Sequence, residues 1–458
     1  MQFDVVIVGA GLSGLAAGIR LAQYEKKVLI LEKHYLWGGL NSFYKRSGHL
    51  FDVGLHALTN WAEPDAPKGR RNPLQRVLRQ LRLRREDLDL VPQGRSSIRV
   101  GGEELVLTND FEAIVEEVAR LFPGERDGFV RLAQDLESYP AAMENRVFIS
   151  SRERLQDYLH EPLLIEMLLC PMFFYGNAKE HDIDWWELGV LFNSILREGL
   201  GRPSAGMRPF LAQLRQRFSD LGGELWTRSA VQAIHSKDDG VAVEITGKGT
   251  VHGRSVLSSA GSRETERLLG RQPTERDPRL GFAETIWVLD RPLAELGFED
   301  CVTFFSHGDR MIWEDPETDV DLRSGVLCCP NNYPDASEPK APILRATHLA
   351  SSRRWFDKSE EQYGRDKEAF VRGSTESVSA LVGPYRPHVR FTDAFTPRTI
   401  HRFTGHEGGA IYGAPRKHRN AETGSKGVYL IGTDQGMSGI VGAMLSGVTV
   451  ANERILRV

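Results

Sequence analysis

Three glycines near the amino terminus have the spacing that binding of a dinucleotide phosphate requires. Gly9, Gly11 and Gly14 form the pattern GxGxxG directly after a short apolar run. In this pattern the first glycine permits a tight turn out of a strand, the second lets the backbone approach a pyrophosphate, and the third lets helix and strand pack closely. A helix that begins here offers unpaired N–H groups to the phosphates. The predicted phosphate-binding turn comprises Gly9, Gly11, Leu12, Ser13 and Gly14.

An acidic residue completes this pattern at the position where a ribose is bound. Glu32 follows residues 27–31, a mostly apolar run that predicts a second strand. A carboxylate here accepts hydrogen bonds from ribose hydroxyls and repels a 2′-phosphate, so the site is not built for NADP. Lys33 is included in the predicted site. A glycine-rich turn in an unrelated α/β protein is the alternative, and it is disfavoured because strand, spacing and acid agree.

Size and composition limit the class of protein. The chain has 458 residues, which is too long for one hydrophobic core and typical of two or three domains. Lys and Arg total 58 against 62 Asp and Glu, and this balance argues against a nucleic-acid-binding protein. The four cysteines form no CxxC pair, so neither a disulfide framework nor a metal site is predicted. A cytoplasmic protein without a membrane-spanning helix is the expectation.

A pair of glycines extends the amino-terminal site. Gly38 and Gly39 lie in residues 36–42, shortly after Glu32. In this stretch the chain resembles the amine oxidase and phytoene desaturase superfamily of FAD-dependent flavoproteins. The resemblance implies that the paired glycines extend the binding surface towards the pyrophosphate and the flavin, and it favours FAD over NAD. The residues included on this basis are Gly38, Gly39, Leu40 and Asn41.

A second glycine-rich stretch, near the carboxy terminus, resembles the other FAD motif of this superfamily. It spans residues 432–442 and overlaps the end of a predicted strand at 427–432. The resemblance implies an acid near the ribityl-pyrophosphate, helix N-terminal N–H groups at the flavin pyrimidine edge, and a backbone contact with adenine. A plain glycine-rich loop is the alternative for this stretch. The residues that match these positions are Asp434 for the acid, Val231 for the adenine contact, and Gly432, Gly439, Ile440 and Val441.

Four further stretches narrow the resemblance to the phytoene desaturase and carotenoid isomerase branch. They are residues 51–56, 121–125, 345–350 and the segment from 396 to 413. Members of this branch dehydrogenate, saturate or isomerise carbon–carbon double bonds of long apolar polyenes. The resemblance therefore implies an FAD-dependent oxidoreductase of the desaturase type, with a polyene, isoprenoid or acyl substrate. The chain is shorter than the carotenoid desaturases, so membrane-docking elements are expected to be reduced or missing.

The fold class that follows is α/β with a discontinuous arrangement. Elements typical of a dinucleotide-binding fold occur at both ends of the chain and in the middle, separated by two insertions. The resemblance implies a doubly wound, Rossmann-type FAD-binding domain and a second α+β substrate domain, made of an antiparallel sheet plus helices. The predicted segments are 1–60, 205–265 and 396–458 for the FAD-binding domain, 61–204 for a helical insertion, and 266–395 for the substrate-domain sheet.

Flavin chemistry on a carbon–carbon bond requires a hydride acceptor, which the cofactor supplies, and a proton acceptor. His56, His406 and Tyr412 are the candidate catalytic residues near the flavin, and Asp52 is a further candidate. His56 is alternatively a structural histidine, because most histidines in such segments are satisfied structural groups. His406 and Tyr412 flank a glycine pair at 408–409, and Tyr412 is alternatively a wall of the substrate pocket.

Other functions remain open at the level of sequence. The chain has one dinucleotide fingerprint, so we expect dioxygen or a quinone to reoxidise the flavin, or a redox-neutral reaction. A flavin-dependent isomerase or saturase, an amine or amino-acid oxidase, and a prenyl-binding chaperone related to the GDP-dissociation inhibitors are the alternatives. No cysteine follows Cys329, so the flavin is expected to be bound non-covalently.

Two surfaces have both a functional and an ordinary interpretation. Aromatic residues at 172–175 and 185–186 either line an apolar tunnel for the substrate or pack in the core. Arginines in residues 70–85 either make peripheral contact with an anionic membrane or form a solvated helix face. The ordinary interpretation is favoured for both surfaces.

Overall fold

Two large β-sheets form the framework of the protein. The structure is a computed structural model that describes residues 1–61, 72–137, 147–274, 278 and 280–457. The strands are β1 (Gln2–Val8), β2 (Val28–Leu31), β3 (Phe43–Arg46), β4 (His49–Asp52), β5 (Leu58–Thr59), β6 (Leu90–Pro92), β7 (Ser96–Val100), β8 (Glu103–Leu107), β9 (Leu200–Pro203), β10 (Glu224–Trp226), β11 (Val231–Lys237), β12 (Gly240–Ile245), β13 (Gly249–Ser258), β14 (Leu280–Leu289), β15 (Val302–Ser306), β16 (Val320–Cys328), β17 (Ile343–Ser351), β18 (Val389–Phe395) and β19 (Val428–Leu430).

Helices cover the sheets and form most of the first insertion. Turns of π-helix at Asn193–Arg197 and Ala451–Leu456 continue two of the helices. The α-helices are α1 (Leu12–Ala22), α2 (Pro73–Leu81), α3 (Phe111–Leu121), α4 (Arg126–Glu137), α5 (Ser151–Leu155), α6 (Pro162–Gly176), α7 (Trp185–Phe192), α8 (Met207–Asp220), α9 (Ser262–Leu268), α10 (Ser352–Phe356), α11 (Glu360–Val382), α12 (Pro397–Thr404) and α13 (Gly439–Val450).

The first sheet has the strand order β10-β2-β1-β13-β12-β11, and β19 pairs with the carboxyl-terminal end of β13. β10, β2, β1, β13 and β19 run parallel, whereas β11 and β12 are antiparallel additions. The continuous apolar runs of β1 and β2 fit strands that are buried on both faces. Helices α1, α8 and α13 pack on one face of the parallel strands. On the other face, apolar side chains of β1 and β2 pack against side chains of the antiparallel strands β11 and β12. This is the predicted Rossmann-type domain.

The second sheet has the order β18-β14-β17-β16-β15-β7-β8. Its pairs are antiparallel except for β15 and β7, a parallel pair that the sequence did not predict. Helix α6 packs on β7 and β15, and helix α11 packs on β14 and β16. His348 in β17 is fully buried and is hydrogen-bonded to Ser324 and Ser374. The second domain is thus the predicted α+β domain.

The division of the chain into five segments stays a prediction. Strands β7 and β8 come from the predicted helical insertion and nevertheless belong to the second sheet. A small sheet with the order β5-β9-β6 links the beginning and end of that insertion. The insertion therefore contributes to the substrate domain with both helices and strands.

Helix α2 carries part of the arginine-rich segment 70–85. Residues 70 and 71 lie outside the described residues. Leu74, Val77, Leu78 and Leu81 are buried against the first domain, and the arginines of α2 lie on its exposed side. Among the described helices, none is both long and apolar enough to cross a lipid bilayer.

Candidate active site

A cleft of about 1600 Å³ lies between the two sheets, at the carboxyl ends of β1, β2, β13 and β19. Ligand pockets usually measure roughly 300–1,000 Å³, so this cleft has room for a dinucleotide and a second molecule. The predicted cofactor-binding residues line it with the exception of Gly14. They are Gly9, Gly11, Leu12, Ser13, Glu32, Lys33, Gly38, Gly39, Leu40, Asn41, Val231, Gly432, Asp434, Gly439, Ile440 and Val441.

The β1–α1 turn shows why three glycines are required. Gly9 has φ +97°, a conformation that side chains rarely adopt, and a Cβ here would lie 2.3 Å from Ser259 Oγ. A Cβ on Gly11 would meet nothing within 4 Å, so this position leaves the cleft open. A Cβ on Gly14 would lie 2.1 Å from the carbonyl oxygen of Gly9. Gly14 therefore acts by letting α1 approach β1 and not by facing the cleft.

The Gly38–Gly39 pair is joined directly to this turn. The N–H of Gly38 donates to the carbonyl of Ala10 over 2.8 Å, and Gly38 forms a parallel bridge with Gly11. A Cβ on Gly39 would lie 3.4 Å from the Cα of Gly11. The second glycine pair thus extends the same backbone surface along the cleft.

Glu32 is held at the end of β2 by the backbone. Its two carboxylate oxygens accept the N–H groups of Ala10 and His34, each over 2.8 Å. The side chain is buried but lines the cleft, and each carboxylate oxygen can accept more than one hydrogen bond. Glu32 therefore fixes the phosphate-binding turn and retains lone pairs for a ligand hydroxyl.

Asp434 ties together three segments around the cleft. Its carboxylate accepts the N–H of Ser262 over 2.6 Å and the N–H of Ala414 over 2.7 Å. A Cβ on Gly413 would lie 1.9 Å from Asp434 Oδ1, so a glycine is required beside it. The predicted ligand-binding acid is therefore also a clamp that positions the loops at the start of α9 and after Tyr412.

His56 is part of a buried network that sequence reasoning missed. Its Nε2 lies 3.1 Å from Glu284 Oε2 and 3.0 Å from Thr347 Oγ1. Arg345 donates from Nε to the other oxygen of Glu284 over 2.7 Å. Burial raises the pKa of the Glu284 carboxyl, but Arg345 and His56 outweigh it and hold that pKa below its usual value. The carboxylate is therefore charged and anchors the imidazole at the cleft wall.

One signal for this network was present in the sequence. Arg345 and Thr347 are two residues apart in β17, so both side chains point to the same face of the sheet. Glu284 comes from β14, which pairs with β17 and places Glu284 opposite Thr347. The sequence alone does not show the register between β14 and β17, and this register brings the side chains together.

His406 lies in a different group of residues from His56. Its Nδ1 is 3.8 Å from Glu264 Oε1, and the preceding Gly405 packs against the ammonium group of Lys33. Burial lowers the pKa of His406, but the Glu264 carboxylate outweighs it and raises that pKa above its usual value. His406 lies near Lys33 in the lining of the cleft, and the structure does not bring it to the His56 network.

The side chains of Tyr412 and Asp52 form hydrogen bonds with backbone groups of the chain. The Tyr412 hydroxyl donates to the carbonyl of Phe174, and its ring lies 5.8 Å from that of Phe282 in an edge-on arrangement. Burial raises the pKa of the Tyr412 phenol. Asp52 accepts the N–H of Met207 over 2.8 Å, which fixes the start of α8. Tyr412 thus forms a wall of the cleft, and Asp52 supports the first domain.

The cleft continues past Tyr412 into an apolar region. In the aromatic segments 172–175 and 185–186, Phe174, Tyr175 and Trp186 line the cleft, and Met172, Phe173, Phe174 and Trp185 belong to the core cluster. All four cysteines are buried, and none of them lines the described part of the cleft. Within the described residues, no cluster of histidine, cysteine and acidic side chains could hold a metal ion. The apolar lining residues include Phe174, Trp186, Val190, Leu191, Phe282, Val326 and Ile411.

A Rossmann-type sheet with this turn, closed by a second sheet over an apolar cleft, defines the class of flavin-dependent oxidoreductases. Comparison with protein families agrees with this class. Residues 12–455 match the family described as flavin containing amine oxidoreductase, and the chain belongs to this family.

Comparison with individual proteins finds relatives in one branch of this class. The chain is 24% identical to all-trans-retinol 13,14-reductase of Danio rerio over 530 residues, covering 98% of this chain and 85% of that protein. It is 20% identical to the chloroplastic prolycopene isomerase of Arabidopsis thaliana, covering 90% of this chain and 75% of that protein. A phytoene desaturase (neurosporene-forming) of Rhodobacter capsulatus is 28% identical over 253 residues, covering 53% of this chain and 44% of that protein. The predicted resemblance to the desaturase and isomerase branch is confirmed.

Proposed function

We propose that this protein binds FAD non-covalently and uses it to dehydrogenate a carbon–carbon bond in a long apolar polyene, isoprenoid or acyl chain. The observation that carries the proposal is the continuity of the cleft, which runs from the β1–α1 turn past His56 into the apolar region. The names of the three relatives refer to retinol, prolycopene and phytoene, which supports a polyene substrate. Dioxygen or a quinone is the proposed electron acceptor, and peripheral contact with a membrane remains part of the proposal.

FAD is favoured over a smaller flavin by the residues at the Glu32 end of the cleft. A dinucleotide has the second ribose that Glu32 would bind and the pyrophosphate that the turn would face. Two basic side chains, Lys33 and His406, line the cleft there, and the Glu264 carboxylate raises the pKa of His406. Val231 lines the same region and is the proposed adenine contact. The proposed FAD site therefore uses both the amino-terminal and the carboxy-terminal motifs.

His56 is the proposed proton acceptor. Thr347 donates its hydroxyl proton to Glu284 over 2.6 Å, so the carboxylate and the hydroxyl oxygen both face His56 Nε2 as acceptors. Nε2 therefore carries the ring proton, and Nδ1 keeps its lone pair. FAD, when bound, accepts the hydride from the substrate. His56 Nδ1 would take the proton from the neighbouring carbon, and Glu284 would stabilise the imidazolium that forms.

A saturase or isomerase on a similar substrate is the second candidate. A relative that is named a reductase covers nearly the whole chain, and another is named an isomerase. The same arrangement serves in the reverse direction, with His56 returning a proton as hydride enters the substrate. An amine oxidase is disfavoured because the apolar cleft region offers a large surface for a hydrocarbon chain, which contributes about 0.8 kcal/mol per buried methylene.

The substrate class is tested by mixing the anaerobic FAD-loaded protein with two panels of compounds. We expect polyene, prenyl or acyl compounds to bleach the flavin absorbance, and simple amines or amino acids to leave it unchanged. Free FAD with the same compounds is the control. Bleaching by amines alone would establish the amine oxidase alternative. Double-bond rearrangement by the pre-reduced protein, without bleaching by either panel, would select the isomerase.

The mode of flavin attachment has a simple test. Because no cysteine lines the described cleft, acid precipitation is expected to release all of the yellow colour into the supernatant. The absorbance spectrum of the supernatant and of the redissolved pellet measures the distribution. Flavin that stays with the washed pellet would show a covalent bond.

A further inference from the structure

The side chain of Lys417 lies in the wall of the cleft, between Tyr412 and the turn that precedes α13. It is 7% exposed, and its ammonium group donates to the backbone carbonyl of Tyr412. A Cβ on Gly436 would lie 3.4 Å from the Cβ of Lys417, so the lysine packs on the turn that leads to Gly439. This buried cation was not predicted from the sequence, and no role described above uses it.

The charge of Lys417 is only partly offset by its surroundings. The nearest carboxylate oxygen is Asp434 Oδ1 at 3.9 Å, and Asp434 already accepts two backbone N–H groups. The carboxylate of Glu187 on α7 also raises the pKa of Lys417. The same carboxylate lies 3.5 Å from the guanidinium group of Arg419. Burial lowers the pKa of the Lys417 ammonium, whereas Asp434 and Glu187 raise it, and burial dominates. A buried cation of this kind is costly unless an anion faces it.

We propose that Lys417 stabilises the negative charge that the flavin gains when it is reduced. This inference rests on the proposed function. In the proposed dehydrogenation the substrate loses a hydride to the flavin and a proton to His56, so a carbon–carbon double bond forms and the flavin gains one negative charge. The Cβ of Lys417 packs on the turn before the N-terminus of α13, the proposed site of the flavin pyrimidine edge, and its ammonium group lies beside that turn at the Tyr412 carbonyl, in the wall of the cleft. A cation held there favours the reduced form and raises the reduction potential.

The first test compares the reduction potential of the FAD-loaded wild type with that of Lys417→Gln. Glutamine keeps a donor for the Tyr412 carbonyl and removes the charge. We expect the equilibrium with a reference dye to shift towards oxidised flavin by at least about tenfold, or ~30 mV for a two-electron couple. Lys417→Arg, which keeps the charge, should stay near the wild type. Lys426→Gln is the matched control, because Lys426 is 71% exposed at the surface.

The second test measures protonation of the reduced flavin in the wild type and in Lys417→Gln. The absorbance spectrum of the reduced protein is followed as the pH is lowered, with free reduced FAD measured in parallel. We expect the anionic reduced form to persist to a lower pH in the protein than in solution, and Lys417→Gln to lessen the difference. A wild type that protonates like free flavin, or a Lys417→Gln potential equal to that of the wild type, would overturn the inference.

Two other outcomes separate this inference from the proposed function. If Lys417→Gln keeps the wild-type potential and loses only the binding of acidic ligands, the lysine recognises the substrate and the inference is wrong. If the purified wild type takes up no FAD at all, the proposed function fails first, and the inference fails with it. Bound FAD with an unchanged potential in Lys417→Gln rejects the inference alone.

Discussion

Replacing His56 by alanine is expected to slow flavin reduction by the substrate roughly 10²- to 10⁴-fold, the range typical of a lost general base. The physical reason is the arrangement around Nε2, where the charged Glu284 and the Thr347 hydroxyl leave Nδ1 as the free basic nitrogen. The measurement is a single-turnover reaction in an anaerobic stopped-flow instrument, using a substrate that bleaches the flavin.

The chain contains a matched control for this experiment. His235 pairs with Glu244 over 2.9 Å on the surface, with about half of the imidazole exposed, so His235→Ala removes a similar pair outside the cleft. We expect the substrate to reduce the flavin of the His235→Ala variant at the wild-type rate. Glu284→Gln should behave like His56→Ala, because the amide can donate to Nε2 and favour the wrong tautomer. A His56→Ala rate within a few-fold of the wild type, with full flavin content, would make His56 a structural residue.

Local patterns were sufficient to predict the β1–α1 turn and the position of Glu32 beside it. The turn at Gly9 and Gly14 and the position of Glu32 depend on contacts within one βαβ unit, and these contacts follow the sequence spacing. The central position of β13 in the first sheet was missed, since this depends on pairing with β1, which lies about 250 residues earlier in the chain.

The network around His56, the proposed catalytic residue, could not be derived in the same way. His56 and Glu284 are 228 residues apart, and the partners meet only because β14 and β17 pair in one particular register. His406 was predicted on the basis of a glycine pair, and that local signal does not show which end of the cleft the loop reaches. Lys417 lies in none of the sequence motifs described above. Its interest lies in its burial, which is a property of the folded protein.

Replacing Glu32 by alanine is expected to weaken FAD binding roughly ten- to a hundred-fold. A carboxylate that is hydrogen-bonded to ribose hydroxyls contributes about 1–3 kcal/mol. In addition, the carboxylate accepts the N–H groups of Ala10 and His34, so its removal also loosens the phosphate-binding turn. The dissociation constant is measured by titrating the flavin-free protein with FAD and following the quenching of flavin fluorescence.

A comparison with FMN separates these two contributions of Glu32. FMN has the flavin ring and one phosphate but lacks the adenosine ribose, so it cannot use a ribose contact at Glu32. If Glu32 acts on the ribose, Glu32→Ala weakens FAD and leaves the weaker binding of FMN nearly unchanged. If it acts through the turn, both ligands lose affinity together, and the melting temperature of the flavin-free variant falls as well. Equal FAD affinity in the variant and the wild type would show that other residues hold the ribose, and the assignment of Glu32 as its ligand would then be wrong.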